Sequence, residues 1–386
     1  MASATILMDS GNFREKLPGR LNACLGGVHP KALSKSNHCL ESLKDLWSHS
    51  WGFLWGPPGT GKTTTIGKQV SVNICEDFER ILVVSTTNRA TDEVALAIGR
   101  AVRSSNPRFL NEGRILRIGK SAGFTRYKDN NLLELLQGTE TDLLRQISLL
   151  QHQLQGLDDP EKRAILRKQI QELLKKMKRS SLDLFISPHV KVVVSTVFNA
   201  IALLNDPTIR NFLSRNMSCF STIIIDEAGL ISRATGAVLS LLGSHRVVFV
   251  GDPKQLAPIS KVSRILPTNQ ATWLGNSTLN HLQTTKHLSG GVFLLKEQYR
   301  MHPEISRVIS QFQYDGSLKD SQTVINRRVF FPAVLAGQPR AIWYVLDEEN
   351  EIHRHLKRYS LQLRKGHMKV EPTTEIRHFR KTQRHL

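Results

Sequence analysis

A glycine-rich loop constrains this chain more than any other feature of its sequence. It follows a short apolar run at 51–55, precedes a helix-forming stretch at 63–75, and completes the pattern G-x-x-x-x-G-K-[ST]. In the order strand, loop, helix, such a loop binds phosphate, because its backbone N–H groups and the helix N-terminus face the anion. The residues predicted to bind the nucleotide are Gly56, Pro57, Pro58, Gly59, Thr60, Gly61, Lys62, Thr63 and Thr64. Lys62 is expected to reach the β- and γ-phosphates and Thr63 to complete a Mg²⁺ shell, so the pattern predicts a nucleoside triphosphate site.

A second segment supplies acids suited to hydrolysis. The β-branched run at 221–225 is followed by Asp226 and Glu227. This pattern predicts a central parallel strand that ends in two carboxylates. Asp226 is expected to hold Mg²⁺, and Glu227 to orient and deprotonate the attacking water. Such a pair favours hydrolysis over transfer to a bound acceptor.

Two later segments add groups that can contact a nucleotide. An apolar strand at 247–250 leads to Gly-Asp-Pro-Lys-Gln-Leu, in which Gln255 is suited to sensing a γ-phosphate. The segment Glu-Gln-Tyr-Arg-Met-His-Pro at 297–303 supplies Tyr299 and Arg300. Tyr299 offers a flat face for a base, and Arg300 a bidentate fork for phosphate.

Together and in this order, the four segments resemble the superfamily 1 helicases, in the branch that includes the nonsense-mediated decay helicase and its DNA-acting relatives. The resemblance extends from about residue 33 to about residue 346. It implies two RecA-like lobes that clamp ATP and Mg²⁺, with single-stranded nucleic acid, DNA or RNA, across their top.

The resemblance also implies roles for individual residues. Tyr299 would stack on the adenine, Gln255 and Arg300 would contact the γ-phosphate, and Asn37 stands where the family has a glutamine that reads the adenine edge. The catalytic residues implied are Glu227, Lys62, Gln255 and Arg300, and those implied to contact nucleic acid are Thr86, Thr87, Asn88, Ser195 and Thr196.

The predicted fold class is α/β, a RecA-like P-loop NTPase with a parallel sheet flanked by helices. The predicted parts are a lead segment at 1–32, an ATP-binding lobe at 33–285, a partial second RecA-like lobe at 290–350 and a basic, disordered tail at 351–386. Glycines 290 and 291 are interpreted as the hinge between the lobes. No later segment matches the family motif that carries the second-lobe arginine, so we expect ATP binding, feeble hydrolysis and no unwinding. The alternative is a non-motor module, or a truncated product, that binds ATP and nucleic acid.

An insertion at about 131–180 carries two apolar repeats with 4-3-4 spacing, separated by a turn at 157–160. The repeats are Leu143, Ile147, Leu150 and Leu154, then Leu166, Ile170, Leu173 and Met177. They predict an antiparallel helical hairpin. Its basic second helix is suited to nucleic acid or to a protein partner, and a solvated basic face is an equal alternative.

Composition agrees with a polyanionic partner, since the formal net charge is +20 over 386 residues, although a generally solvated basic surface is the alternative. The four cysteines form no C-x-x-C pair, so zinc is not expected and free thiols fit a reducing compartment. No apolar run approaches the roughly 20 residues of a membrane span, and no signal peptide is recognised. We therefore expect no membrane contact and an intracellular location, cytoplasmic or, in a eukaryote, nuclear.

Overall fold

The computed structural model describes residues 43–260, apart from 122, 137, 158 and 216–217, together with 273–279 and 291–326. The chain forms two compact units, which divide between Arg300 and Met301. No helix of the described residues is long and apolar enough to cross a membrane.

The first unit alternates strands and helices. Its strands are β1 (Trp51–Trp55), β2 (Ile81–Ser85), β3 (Ile115–Arg117), β4 (Val192–Thr196), β5 (Phe220–Ile225), β6 (Gly243–Gly251), β7 (Gly291–Leu294) and β8 (Glu297–Gln298). Its helices are α1 (Leu43–Ser48), α2 (Lys62–Asn73), α3 (Asn88–Ser105), α4 (Arg108–Asn111), α5 (Phe124–Asp129), α6 (Gly138–Gln155), α7 (Pro160–Ile186), α8 (Val197–Leu204), α9 (Pro207–Ser214) and α10 (Arg233–Ser240). Short 3₁₀ turns lie at Leu133–Leu135 and Ala228–Leu230.

Seven strands form one sheet in the order β3-β4-β2-β5-β6-β1-β7, and every neighbouring pair is parallel. The strands are continuous apolar runs because both faces of the sheet are covered: Ile81 and Val83 pack into one apolar cluster, Leu82 and Val84 into the other. The predicted α/β class is confirmed, with β5 at the centre of the sheet. Since parallel strands all end at the same edge, the loops after β1, β2, β4, β5 and β6 meet there.

The predicted helical hairpin is present as α6 and α7, which pack against each other. Asp159 caps α7 by accepting the backbone N–H groups of Glu161 (3.0 Å) and Lys162 (3.4 Å), and proline follows at the first helical position. The second helix continues past the predicted end at 180 to Ile186. Its last turn packs into the core, where Phe185 is fully buried and its ring meets that of Phe220 edge-on, with 5.0 Å between the centroids.

The structure differs from the predicted lobe boundary near residue 290. Residues 291–294, which the sequence assigns to the second lobe, form β7 and pair with β1, with Gly52 opposite Gly291. Two glycines in a row suggest a hinge, but Gly291 is a strand residue because the edge of β1 is available to form hydrogen bonds with it. The other domain limits stay predictions.

The second unit contains α11 (Pro303–Gln313), β9 (Lys319–Asp320) and α12 (Gln322–Ile325). His302 caps α11, since its Nδ1 accepts the backbone N–H of Glu304 at 3.3 Å. The predicted tail lies outside the described residues, as does Asn37.

Candidate nucleotide and nucleic-acid site

The phosphate loop lies between β1 and α2 and is held by hydrogen bonds within the loop and to the end of β6. Gly59 and Gly61 have φ of 78° and 79°, the left-handed region that favours glycine. The Gly56 N–H donates to the carbonyl of Gly251 at 2.9 Å, and the Thr60 hydroxyl donates to the carbonyl of Pro57 at 2.7 Å. The loop is therefore anchored to the end of β6, with α2 directly behind it.

Lys62 folds back over its own loop. Its Nζ donates to the carbonyl of Gly56 at 2.7 Å, and a Cβ at Gly56 would lie only 2.1 Å from Lys62 Cγ. Only glycine leaves room for this path of the lysine side chain. Binding phosphate through Nζ would exchange one carbonyl acceptor for several charged oxygens, which form stronger hydrogen bonds.

Asp226, directly after β5, carries a carboxylate oxygen without a partner. Its backbone N–H donates to Val84 (2.8 Å) and its Oδ2 accepts the Ser85 hydroxyl (3.3 Å), but the buried Oδ1 has no hydrogen bond. Burial, followed by the nearby charge of Glu227, raises the pKa of Asp226 to about 7, although the backbone N–H of Glu227, the charge of Lys62 and the Ser85 hydroxyl act in the opposite direction. A buried orphan carboxylate oxygen calls for a missing partner, and the residues present fit Mg²⁺, which favours oxygen ligands.

Glu227 adopts a backbone conformation that is uncommon for a residue other than glycine, with φ 51° and ψ 38°. The turn packs closely against the loop after β6: a Cβ at Gly229 would lie 3.1 Å from the carbonyl of Asp252, and one at Gly251 3.2 Å from the Ala228 nitrogen. This packing holds the strained turn in place. Strain of this kind clusters at functional sites.

The loop after β6 is tied to β1 through an indole. Asp252 is buried, and its Oδ1 accepts the indole N–H of Trp55 (3.1 Å) and the backbone N–H of Lys254 (3.0 Å). The backbone N–H of Gln255 donates to the carbonyl of Asp252 at 3.2 Å, while the residue itself is exposed. The Lys254 ammonium lies 5.8 Å from the centroid of the Trp55 ring. These contacts position Gln255, and the sequence analysis did not identify Trp55 or Asp252 as part of the site.

The structure brings Tyr299 and Arg300 to the phosphate loop. The Tyr299 N–H donates to the carbonyl of Gly59 at 2.9 Å, and a Cβ at Gly59 would lie 2.6 Å from Arg300 Cβ. The Arg300 N–H donates to the Gln298 side chain at 2.9 Å. A hydrogen bond with Glu297 raises the pKa of Tyr299, whose side chain is half exposed. Residues more than 200 positions apart in sequence are thus in contact at the phosphate loop.

The segments predicted to contact nucleic acid end two neighbouring strands, with Ser85 opposite Thr196. Thr87 caps α3 by accepting the N–H of Ala90 (3.1 Å), and Thr196 caps α8 by accepting that of Asn199 (3.2 Å). Thr86, Thr87, Asn88 and Thr196 are at least partly exposed.

Ser195 differs from the other predicted contacts, because it is fully buried. Its hydroxyl donates to the carbonyl of Ile118 (3.3 Å) and accepts from the Asn199 amide (3.0 Å). In this conformation Ser195 is placed to support the edge of the sheet. A direct contact between the Ser195 hydroxyl and nucleic acid would require α8 to move, because Asn199 of that helix donates to this hydroxyl and the side chain is buried.

A buried ion pair behind this edge has no clear sequence signal. Arg117 Nε lies 2.9 Å from Asp92 Oδ1, and both side chains are almost fully buried. Arg117 also donates to the Asn88 side chain (3.2 Å) and to the carbonyl of Lys120 (2.8 Å), while Asp92 accepts the Tyr127 hydroxyl at 2.9 Å. The pair fixes the loops after β2 and β3 relative to each other.

Comparison with known proteins gives two family matches. Residues 35–262 match a family model described as an AAA domain, and residues 274–369, which run past the predicted start of the tail at 351, match a second model with the same description.

The matching relatives include proteins named as a helicase, as a regulator of nonsense transcripts and as a DNA-binding protein. Helicase sen1 of Schizosaccharomyces pombe is 25% identical over 363 residues, covering 78% of this chain and 20% of that protein. The Regulator of nonsense transcripts 1 homolog of Arabidopsis thaliana is 25% identical over 313 residues, covering 80% and 22%. The DNA-binding protein SMUBP-2 of Mesocricetus auratus is 25% identical over 271 residues, covering 69% and 25%. The chain spans about a fifth to a quarter of the length of these curated relatives.

Among solved structures, an Arterivirus nonstructural protein 10 (helicase) in complex with DNA aligns at a TM-score of 0.33 and 13% identity. The alignment covers 72% of this chain and 43% of that one.

Proposed function

Because this chain belongs to the AAA-domain family and, within it, to the superfamily 1 helicases of the nonsense-mediated-decay-helicase-like branch, we propose that it binds ATP with Mg²⁺ and hydrolyses it when bound to single-stranded nucleic acid. The family is one of nucleic-acid helicase-type NTPases. The observation that carries the proposal is the unpartnered Oδ1 of Asp226, at the same edge of the sheet as the phosphate loop.

ATP binds with its phosphates in the loop 56–63. Lys62 gives up its hydrogen bond to the Gly56 carbonyl (2.7 Å) and binds the β- and γ-phosphates. The contact with Gly56 supports this role, because it holds the ammonium group beside the phosphate loop. The Thr63 hydroxyl and the Asp226 carboxylate would hold Mg²⁺, which would neutralise charge on the phosphate oxygens. Tyr299, half exposed next to Gly59, offers its ring to the adenine, and Asn37 its amide to the adenine edge.

Hydrolysis uses the acids and donors around the γ-phosphate. Glu227 accepts a proton from the attacking water, which its position next to Asp226 supports. Gln255 and Arg300 donate hydrogen bonds to the γ-phosphate, and the packing of Arg300 against Gly59 supports that role.

Single-stranded nucleic acid, DNA or RNA, lies along the edge formed by Thr86, Thr87, Asn88 and Thr196. Two helix N-termini open at this edge, and such ends favour phosphate. The net charge of +20 adds long-range attraction for a polyanion. Ser195 supports this edge from beneath.

The test is ATP turnover by the purified chain without a strand, with oligo(dT) and with oligo(U). We expect at least one strand to stimulate turnover and Lys62→Ala to abolish ATP binding. Lys68→Ala, which removes an exposed lysine from the same helix, is the matched control and should behave as the unaltered chain. Equal ATP affinity in the Lys62→Ala and Lys68→Ala variants would contradict the site. Displacement of a labelled strand from a duplex, measured on the same samples, separates a motor from a binding module.

A further inference from the structure

Phe198 is a large aromatic side chain held out in solvent. It is the second residue of α8 and is 76% exposed, more than any other aromatic side chain among the described residues. The helix turns Val197, Ala200 and Leu203 into the core, so position 198 faces away from it. A single exposed apolar residue needs no explanation by itself, so its surroundings decide its meaning.

The strand order places a segment with an exposed cation on each side of the start of α8. Because β4 lies between β3 and β2, the start of α8 lies between the loop after β3 and the loop after β2. An exposed cation lies on each side: Lys120 in the loop after β3, and Arg89 in the first turn of α3, directly after the loop that follows β2. A Cβ at Gly119 would lie 3.1 Å from the Asn199 amide nitrogen, which shows how closely the first loop packs against α8.

We propose that Phe198 is a stacking platform for a base of the bound single strand, and that Lys120 and Arg89 bind phosphates on either side of that base. This inference rests on the proposed function and adds a base contact to an edge whose threonines and helix N-termini suit the backbone. A phenyl ring stacks on any base, so the contact adds affinity without sequence preference. An apolar ring between two cations matches the alternation of bases and phosphates in a strand better than it matches an apolar protein pocket.

The test measures binding of a fluorescein-labelled oligo(dT) to the full chain over a series of salt concentrations. Phe198→Ala should weaken binding about tenfold, the typical effect of removing one stacked base contact. The slope of affinity against salt should stay the same, because no charge is removed, whereas Lys120→Ala or Arg89→Ala should reduce it. Phe198→Trp should retain affinity, and its indole fluorescence should be quenched by the strand.

Phe78→Ala is the matched control, because Phe78 is also exposed (59%) but precedes β2 at the opposite edge of the sheet. It should bind as the unaltered chain does. A second comparison uses a strand with abasic sites, to which Phe198→Ala and the unaltered chain should bind equally.

Three outcomes overturn the inference, and they are distinguishable. Normal oligo(dT) binding by Phe198→Ala removes the stacking role and leaves the proposed function standing. Weaker binding of the abasic strand by Phe198→Ala means that the ring acts through the fold and not through a base. Failure of the unaltered chain to bind any strand overturns the proposed function, and this inference with it.

Discussion

The two edges of the seven-stranded sheet treat buried charge in opposite ways. At the amino edge, where the strands begin, the charged side chains of Glu79 and Arg80 each have several partners. At the carboxyl edge, the buried carboxylate of Asp226 keeps an oxygen without one. Both edges belong to the same strands and the same apolar core, so the difference is not one of fold.

Glu79 and Arg80 show how the amino edge is completed. Glu79 accepts the hydroxyls of Ser221 (2.7 Å) and Thr222 (2.9 Å) and pairs with Arg246 at 3.0 Å. Arg80 donates to three backbone carbonyls, those of Val190, Cys219 and Phe185, and its guanidinium carbon lies 4.4 Å from the centroid of the Phe220 ring. Burial lowers the pKa of Arg80 to about 10, so it remains charged at neutral pH.

Glu79 at the amino edge is stabilised by contacts within the protein, whereas Asp226 at the carboxyl edge has an oxygen available for a ligand. The hydrogen bonds of Glu79 and Arg80 at the amino edge join the segments that lead into β2, β4 and β5. At the carboxyl edge, the unpartnered oxygen of Asp226 and the strained backbone of Glu227 lower the stability of the fold. A bound ligand would offset this cost. Substitutions at the amino edge should therefore change stability, and those at the carboxyl edge activity.

The largest effect is expected for Glu227→Gln at the carboxyl edge. Removing the base should lower ATP hydrolysis by a factor on the order of 10² to 10⁴, because the amide cannot accept the proton of the water. ATP affinity and the melting temperature should change little. Glu76→Gln, an exposed acid at the amino edge, is the control and should hydrolyse ATP normally. Normal turnover by Glu227→Gln would show that another group is the base.

Glu79→Ala should have the reverse profile. It leaves Arg246 and the Thr222 hydroxyl without their acceptor, whereas the Ser221 hydroxyl can still donate to the carbonyl of Arg80 (2.9 Å). Breaking such an ion pair costs about 3 kcal/mol of unfolding free energy. Urea unfolding measures this, with Glu76→Ala as the exposed control. ATP affinity at a temperature where the variant is folded should equal that of the unaltered chain. A large loss of affinity there would mean that the two edges are coupled.

Asp226→Asn should stabilise the ligand-free chain at high pH. The pKa of Asp226 is raised from 3.8 to about 7, so the folded state holds more protons than the unfolded state between those values. Stability from this group is therefore lost as pH rises through 7, and the neutral amide avoids that loss.

We expect the melting temperature of Asp226→Asn to exceed that of the unaltered chain by about 3 °C at pH 8, with the difference shrinking towards pH 6. Asp77→Asn, an exposed acid at the amino edge, should show no such trend. Mg²⁺ and ATP should stabilise the unaltered chain and not Asp226→Asn. A melting temperature lowered at pH 8 would refute the unpartnered state of Asp226.

Much of the fold was predictable because the parallel strands are local apolar runs. Residues 81–84 and 221–225 are recognisable without any tertiary information, and the order strand, phosphate loop, helix places the nucleotide at the carboxyl edge. The hairpin at α6 and α7 was predictable for the same reason, since its apolar spacing is periodic. The role of each site residue stays a prediction.

What the sequence could not predict depends on contacts between distant residues. Trp55 reads as an ordinary strand residue, and its partner Asp252 lies 197 positions away. Ser195 looks like a surface hydroxyl at a strand end, but packing of α8 and the loop after β3 covers it completely. Gly291 looks like a break, and only the free edge of β1 makes it a strand residue.

The smallest effect is expected for Trp55→Phe, which tests how the carboxyl edge holds Gln255. Phenylalanine keeps an aromatic ring beside Phe53, where the two rings stack at 6.0 Å, but it removes the indole N–H that Asp252 accepts. Asp252 Oδ1 keeps the N–H of Lys254, so the loop is loosened and not released. Losing one such hydrogen bond costs about 1 kcal/mol, which corresponds to a few-fold lower hydrolysis if Gln255 must be held at the γ-phosphate.

Trp51→Phe is the matched control for that change, because Trp51 lies on the same strand and is buried, with an indole nitrogen that has no hydrogen-bond partner. It removes the same indole without removing a hydrogen bond, so any loss of apolar contact appears in stability and not in turnover. ATP affinity should be nearly equal in both variants, since neither touches the phosphate loop's own hydrogen bonds. If Trp51→Phe and Trp55→Phe reduce hydrolysis equally, the indole of Trp55 acts through bulk packing alone. A selective loss in Trp55→Phe assigns the effect to the bond with Asp252 and links β1 to the γ-phosphate.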